Sequence, residues 1–176
     1  MKARKQKLKT LLGKISDERG DKFNHVVAEM LRDMNEFEVY ENIKRINKRN
    51  IADEKGNTLG DIDILLIDRH AKVICIFEVK DFNYSRNPYE MHIEYEKLFC
   101  NTEKDRSYLS KHLRRVSWIQ EHMSDLRVHF LLDGMNWKVR EAFIVSEPIT
   151  SSEIYKKKFN VIYEAELTKE RLRMLY

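Results

Sequence analysis

Residues 60–81 read Gly-Asp-Ile-Asp-Ile-Leu-Leu-Ile-Asp-Arg-His-Ala-Lys-Val-Ile-Cys-Ile-Phe-Glu-Val-Lys-Asp, and this segment governs the architecture expected for the chain. It contains two largely apolar runs joined by a short polar turn. Both runs carry Ile, Val, Leu or Phe at odd and even positions, which is typical of strands covered on both faces. Charged residues inside such strands are costly unless they are paired. Asp63, Glu78 and Lys80 are the charges in question.

The turn between the runs sets the register of the predicted hairpin. A two-residue turn at residues 70–71 and a four-residue loop at residues 69–72 both place Asp63 opposite Glu78. Their Cβ atoms would then lie about 5 Å apart, and Lys80 joins the same face because side chains alternate along a strand. Two carboxylates at roughly 5 Å repel by about 3 kcal/mol at an effective dielectric near 20. A buried pair therefore needs a shared proton, a cationic partner or a metal, and a hard divalent ion fits best.

An alternative interpretation is an edge hairpin in which the three charges form a solvated salt-bridge cluster. The apolar residues on both parities argue against it, because they leave no polar face for such a cluster.

The spacing of these charges resembles a known signature. Asp63, followed after fourteen residues by Glu78-Val79-Lys80 at the end of a hydrophobic strand, is similar to the active-site motif of the PD-(D/E)xK nucleases. Gly-Asp-Ile-Asp-Ile-Leu and Ile-Phe-Glu-Val-Lys look most like the nuclease-related (NERD-like) and restriction endonuclease-like branches. The resemblance implies that Asp63, Glu78 and the Val79 carbonyl hold Mg²⁺, with Mn²⁺ as a substitute. It also implies that Lys80 positions or helps to deprotonate the attacking water, and that the cut leaves a 5′-phosphate.

The resemblance extends to a helix before the hairpin, where the family commonly has a Glu after a Phe. Here Asn24 follows Phe23, so Asn24 is the candidate site position on that helix. A neutral amide in place of a carboxylate lowers the expected metal affinity. This departure motivates the alternative function, a catalytically inactive nuclease-fold module that binds nucleic acid or a protein partner.

The order of elements predicts the fold class. A helix, three strands, a helix and a strand favour an α/β fold with a mixed sheet flanked by helices, and the resemblance implies a restriction endonuclease-like αβββαβ core. We expect one domain over residues 17–176, preceded by a basic amphipathic helix at residues 1–16 that ends at a break near residues 16–20.

Basic residues in three places are candidates for nucleic-acid contact. The first fourteen residues hold six Lys or Arg and no acid. Lys111, Arg114 and Arg115 lie beside the apolar stripe of a helix predicted over residues 104–126, and Arg86 lies in a polar loop after the hairpin. Each set could equally be solvated charge, so DNA, with RNA as the other polymer, remains an expectation.

Composition limits the remaining possibilities. The net charge is +4 and 42% of the residues are hydrophobic, a balance typical of globular proteins. Spacing of the histidines and the two cysteines gives no support for a zinc site, and the cysteines favour a reducing compartment. We therefore predict a cytoplasmic protein with no membrane segment, acting as a homodimer or in a larger nucleic-acid-processing assembly.

Overall fold

A computed structural model describes residues 2–82, 85, 87–103, 105–154 and 159–176, and only the backbone of residues 2–9 and 12. The strands are β1 (Glu38–Ile43), β2 (Arg45–Ile46), β3 (Arg49–Asn50), β4 (Ile62–Asp68), β5 (Val73–Lys80), β6 (Lys138–Val145) and β7 (Val161–Tyr163). The helices are α1 (Lys2–Asp33), α2 (Pro88–Phe99), α3 (Tyr108–Glu121), α4 (Met123–His129), α5 (Thr150–Ile154) and α6 (Lys169–Arg173), with a 3₁₀ turn at Glu164–Glu166.

The predicted mixed sheet is confirmed. Five strands pair in the order β1-β4-β5-β6-β7, with β2 and β3 forming a separate two-stranded ribbon. The β1–β4 and β4–β5 pairs are antiparallel, whereas β5–β6 and β6–β7 are parallel. The β4–β5 hairpin therefore occupies the interior of the sheet, which removes the edge-hairpin interpretation.

The hairpin has the register expected from its turn. Asp68 pairs with Val73 and Ile64 with Phe77 across a four-residue loop. The β4–β5 ladder ends at the Ile64–Phe77 pair, so Asp63 and Glu78 lie just beyond it. At that point the Asp63 carboxylate, rather than its backbone, accepts the Val79 N–H.

The first helix differs from the prediction, because the expected break at residues 16–20 does not form. One continuous helix runs from Lys2 to Asp33 through Gly13 and Gly20. Each glycine costs a helix only about 1 kcal/mol relative to Ala, and no proline interrupts the segment. Helix formers on both sides and docking of the second half outweigh that cost, so the predicted basic amphipathic segment is the first half of a longer helix.

Two apolar layers cover the sheet. On one face, α1 contributes Phe23, Val27, Ala28 and Leu31. On the other face, α3 and α4 pack against the opposite side of β4 and β5. Among the described residues, no helix is both long and apolar enough to cross a bilayer.

The segment after the hairpin also differs in detail. The helix predicted over residues 104–126 is divided into α3 and α4, and α3 begins at its N-cap Ser107, whose side chain accepts the Ser110 N–H. The buried face of α3 carries His112, Arg115, Val116 and Ile119, whereas Leu113, expected in the apolar stripe, is 44% exposed. The buried face of α3 is thus rotated relative to the predicted apolar stripe. This rotation places the side chains of His112 and Arg115 in the protein interior. The strands predicted near residues 139–146 and 159–163 are confirmed as β6 and β7.

Docking of α1 can be tested with two leucines of the same helix. Leu31 is fully buried and Leu11 is 55% exposed. We expect Leu31→Ala to lower the free energy of unfolding by about 2–5 kcal/mol, because it leaves a cavity under the sheet. Leu11→Ala should change it by less than about 0.5 kcal/mol. Urea denaturation followed by circular dichroism gives both values, and equal effects would contradict the described packing.

Candidate active site

A cleft of about 740 Å³ lies between α1 and α2 at one end of the β4–β5 hairpin. Its floor includes Asp63, Val79 and Lys80, and Asn24 lies on its α1 wall. Six acidic residues (Asp17, Asp21, Asp63, Asp81, Glu90 and Glu94) and two basic ones (Lys80 and Lys97) line it. This excess of negative charge favours the binding of cations. We refer to this cleft below as the acidic cleft.

The three charges predicted to share one face are in contact. The Lys80 Nζ lies 2.8 Å from Glu78 Oε1 and 3.2 Å from Asp63 Oδ2. The same Asp63 oxygen accepts the Val79 backbone N–H at 2.9 Å. The Glu78 side chain is only 5% exposed, compared with 22% for Asp63 and 27% for Lys80. The group is therefore mostly buried, unlike the solvated surface cluster considered as an alternative.

The surroundings shift the pKa values of Asp63 and Glu78 in opposite directions. Burial and repulsion by Glu78 raise the pKa of Asp63, and the charge of Lys80 offsets this only in part. Burial would also raise the pKa of Glu78, but His112, Lys80 and Arg115 together lower it to about 2. Glu78 is thus firmly ionised, whereas the negative charge on Asp63 is incompletely compensated.

Lys80 remains a cation in this arrangement. Burial alone would lower its pKa, but the charges of Glu78 and Asp63 outweigh burial and raise it. A protonated ammonium cannot accept a proton from water. Of the two roles implied for Lys80, the geometry therefore favours positioning and charge stabilisation over deprotonation.

Asn24 is close to the hairpin, at the position suggested by the resemblance. Its Nδ2 donates to the backbone carbonyl of Asp63 at 3.3 Å and to Asn42 Oδ1 at 3.1 Å. Because a carbonyl can only accept, the amide nitrogen must face Asp63, and this fixes the orientation of the amide. Among the described residues, the buried Asn24 Oδ1 then has no hydrogen-bond partner.

These donors can be compared with the needs of a hard divalent ion. Mg²⁺ prefers carboxylate, carbonyl and water oxygens. Asp63 and Asn24 both line the acidic cleft, Asp63 carries incompletely compensated charge, and Asn24 has a spare oxygen. Glu78 is different, because both of its oxygens already contact cations. The residues present therefore fit an ion at Asp63, and Glu78 could join only if Lys80 moves away from its Oε1.

Arg115 differs from the exposed basic patch predicted on this helix. Its side chain is 7% exposed and its guanidinium Nη2 contacts Glu78 Oε2. The sequence predicted that Arg115 contacts nucleic acid or is a solvated charge, and it instead pairs with a buried acid. The signal that could have found it is the spacing of residues 112, 115 and 119, which share one helical face.

The remaining predicted contact residues do not line the acidic cleft. Lys111 and Arg114 line a separate groove of about 580 Å³ beside Gly60 and Arg106, which we call the α3 groove. Lys111 pairs with Asp105 at 2.8 Å, and Arg114 lies 3.4 Å from Asp53. Arg86 lies outside the described residues.

Among the described residues, one group of three His or acidic side chains has its ligand atoms within 4.8 Å of one another. His25, Glu29 and Glu41 lie on the surface where α1 meets β1. Arg32 pairs with both carboxylates, at 2.6 Å from Glu29 and 2.7 Å from Glu41. Their negative charge is thus already balanced by a guanidinium.

Comparisons with known proteins do not identify a family for this chain. No family model, curated protein or solved structure matches the chain.

Proposed function

We propose that the chain is a metal-dependent nuclease of the PD-(D/E)xK type, with a restriction endonuclease-like fold, that hydrolyses phosphodiester bonds of DNA. The observation that carries this proposal is the contact of Lys80 with both Asp63 and Glu78 at the floor of the acidic cleft. Placing two carboxylates and a lysine inside a sheet is costly for stability alone, since apolar residues of similar volume often stabilise a protein more.

The side chains divide the chemistry among them. Asp63, Glu78 and the Val79 carbonyl would hold Mg²⁺, and Asn24 Oδ1 could bind it or one of its waters. When bound, the ion supplies Lewis-acid polarisation of the phosphate and a more acidic water. Lys80, protonated and 27% exposed, is suited to stabilise negative charge on the phosphate as the bond breaks.

The position of the substrate is constrained by charge. An excess of acids makes the cleft unfavourable for a phosphate backbone without a cation, so Lys80 and the metal must supply the local positive charge. Lys111 of the α3 groove and Lys80 both lie over the Tyr108 ring, at 6.0 Å and 5.5 Å from its centroid. This shared ring supports a path for the backbone from the α3 groove to Lys80.

The direct test is incubation of the purified chain with supercoiled, linear and single-stranded DNA, and with single-stranded RNA, in Mg²⁺, Mn²⁺ or EDTA. We expect cleavage of DNA with either metal and none in EDTA. RNA reports on the choice of polymer.

A second candidate, the inactive nuclease-fold module, is favoured by one observation. Lys80 and Arg115 already give Asp63 and Glu78 cationic partners without any metal. DNA binding without cleavage in either metal would support this candidate and reject the nuclease.

A further inference from the structure

Helix α3 encloses one side of the Glu78 carboxylate. The Arg115 Nη2 contacts Glu78 Oε2, and both side chains are at least 93% buried. One turn earlier on the same helix, His112 Nδ1 lies 3.6 Å from that same oxygen. Two basic groups from α3 therefore meet on Oε2.

His112 is itself held in place. Its side chain is 1% exposed, and its Nε2 lies 3.3 Å from Glu141 Oε2 on β6. Its ring packs edge-on against Phe143 with centroids 5.1 Å apart. The imidazole thus lies between carboxylates of β5 and β6 without a hydrogen bond from either ring nitrogen to a described residue, and burial against Phe143 restricts its rotation.

The other Glu78 oxygen has a different environment. Oε1 contacts the Lys80 Nζ at 2.8 Å, and Lys80 lines the acidic cleft. One oxygen of the carboxylate therefore faces α3 and the other faces the lysine at the cleft floor. A free carboxylate would be able to rotate about its last torsion, since that torsion is broad.

We propose that Arg115 and His112 are positioning residues that hold Glu78 Oε2, so that Oε1 faces Lys80 in this structure and is presented to a divalent ion when Lys80 moves away. This inference rests on the proposed nuclease function. Neither residue lines the acidic cleft, and Arg115 borders the α3 groove with a side chain that is only 7% exposed and directed at Glu78, so both act on the acidic cleft through Glu78.

Arg115 also connects Glu78 with the segment that leads into β4. Its Nη1 donates to the Leu59 carbonyl at 3.4 Å. At the next residue, Gly60, φ is +88°, and an added Cβ would lie 3.1 Å from the same Nη1. Glycine permits this positive φ and the close approach of the guanidinium. One side chain thus ties Glu78 to the backbone four residues before Asp63.

Arg115→Lys tests the inference because it keeps the positive charge and loses the planar fork that reaches both Glu78 and Leu59. We expect the dissociation constant for Mn²⁺, measured without DNA by electron paramagnetic resonance, to rise about tenfold or more, as for other residues that orient metal ligands. The DNA dissociation constant in EDTA should stay within about twofold. Arg173→Lys, which is exposed and pairs with Glu36 at 2.6 Å away from both the acidic cleft and the α3 groove, is the matched control and should change neither value.

A second variant keeps the inference testable if Arg115→Lys does not fold. His112→Gln keeps a hydrogen-bond donor near Glu78, and we expect a smaller rise in the Mn²⁺ dissociation constant with an unchanged urea midpoint. If both variants fold and bind Mn²⁺ like the wild type while the wild type cuts DNA, the positioning role is rejected and the nuclease stands. If the wild type neither binds Mn²⁺ nor cuts, both proposals are rejected together.

Discussion

Lys80→Met is expected to slow DNA cleavage about 100- to 1,000-fold, the usual cost of removing one group that stabilises transition-state charge. The Lys80 ammonium bridges Asp63 and Glu78, and methionine keeps much of its length without the charge. Single-turnover cleavage with saturating Mg²⁺ measures the chemical step separately from product release.

Metal binding should respond to Lys80→Met in the opposite direction. Loss of the ammonium leaves Glu78 Oε1 and Asp63 Oδ2 without the cation they share, so the site keeps its negative charge for an added ion. Mn²⁺ affinity should therefore be retained or increased while cleavage is lost. Lys44→Met is the matched control, because that lysine is 71% exposed, pairs with Asp61 at 3.5 Å and should be neutral for both measurements. A Lys80→Met protein that cuts within threefold of the wild type would remove the lysine from the mechanism.

Glu78→Gln should produce the largest loss of stability in the site. It removes the negative charge shared by Arg115, Lys80 and His112, and leaves the buried guanidinium uncompensated. Removing one partner of a buried ion pair typically costs about 3–5 kcal/mol. Urea unfolding at pH 7 in EDTA measures the change.

Asp63→Asn should act in the opposite direction. Burial and repulsion by Glu78 raise the pKa of Asp63, so its ionised form is disfavoured in the folded protein. A neutral amide removes this penalty, and we expect a higher urea midpoint together with loss of cleavage. A functional residue that lowers stability is a common compromise at active sites. If both substitutions destabilise the protein equally, the electrostatic description of the site is wrong.

Acid titration gives an independent check on Glu78. Its pKa is lowered from 4.5 to about 2 on folding, so its stabilising contribution is fully present above pH 4.5 and is lost as the pH falls toward 2. In EDTA, the wild type should therefore lose more unfolding free energy between pH 7 and pH 3 than Glu78→Gln does. Equal losses would mean that Glu78 is not held as an ionised group.

The sequence predicts the hairpin well because its information is local. Strand alternation and the length of one turn determine which residues face each other, so Asp63, Glu78 and Lys80 could be assigned to one face by counting. The apolar runs also predicted strands covered on both faces, and every residue of β4 and β5 except Asp63 and Lys80 is buried.

Contacts between distant elements were not predictable in this way. The apolar pattern of α3 is ambiguous by a fraction of a turn, and a small rotation moves Arg115 from solvent to Glu78. Nothing local to Arg115 indicates a buried acid that lies 37 residues earlier. The α1 break was predicted from Ser16 and Gly20, whose local preferences are weaker than the gain from extending a docked helix.

The parallel pairing of β5 with β6 has a consequence for the order of folding. The β4–β5 hairpin closes over a four-residue loop. By contrast, Val73 pairs with Lys138, which follows α2, α3 and α4 in the chain. Local pairings form sooner than distant ones because loop closure costs less entropy. We therefore expect a nascent state in which Asp63 and Glu78 already face each other while Arg115 and His112 have not arrived. Lys80 lies on the same hairpin, so its positive charge can offset the repulsion between Asp63 and Glu78 in this early structure.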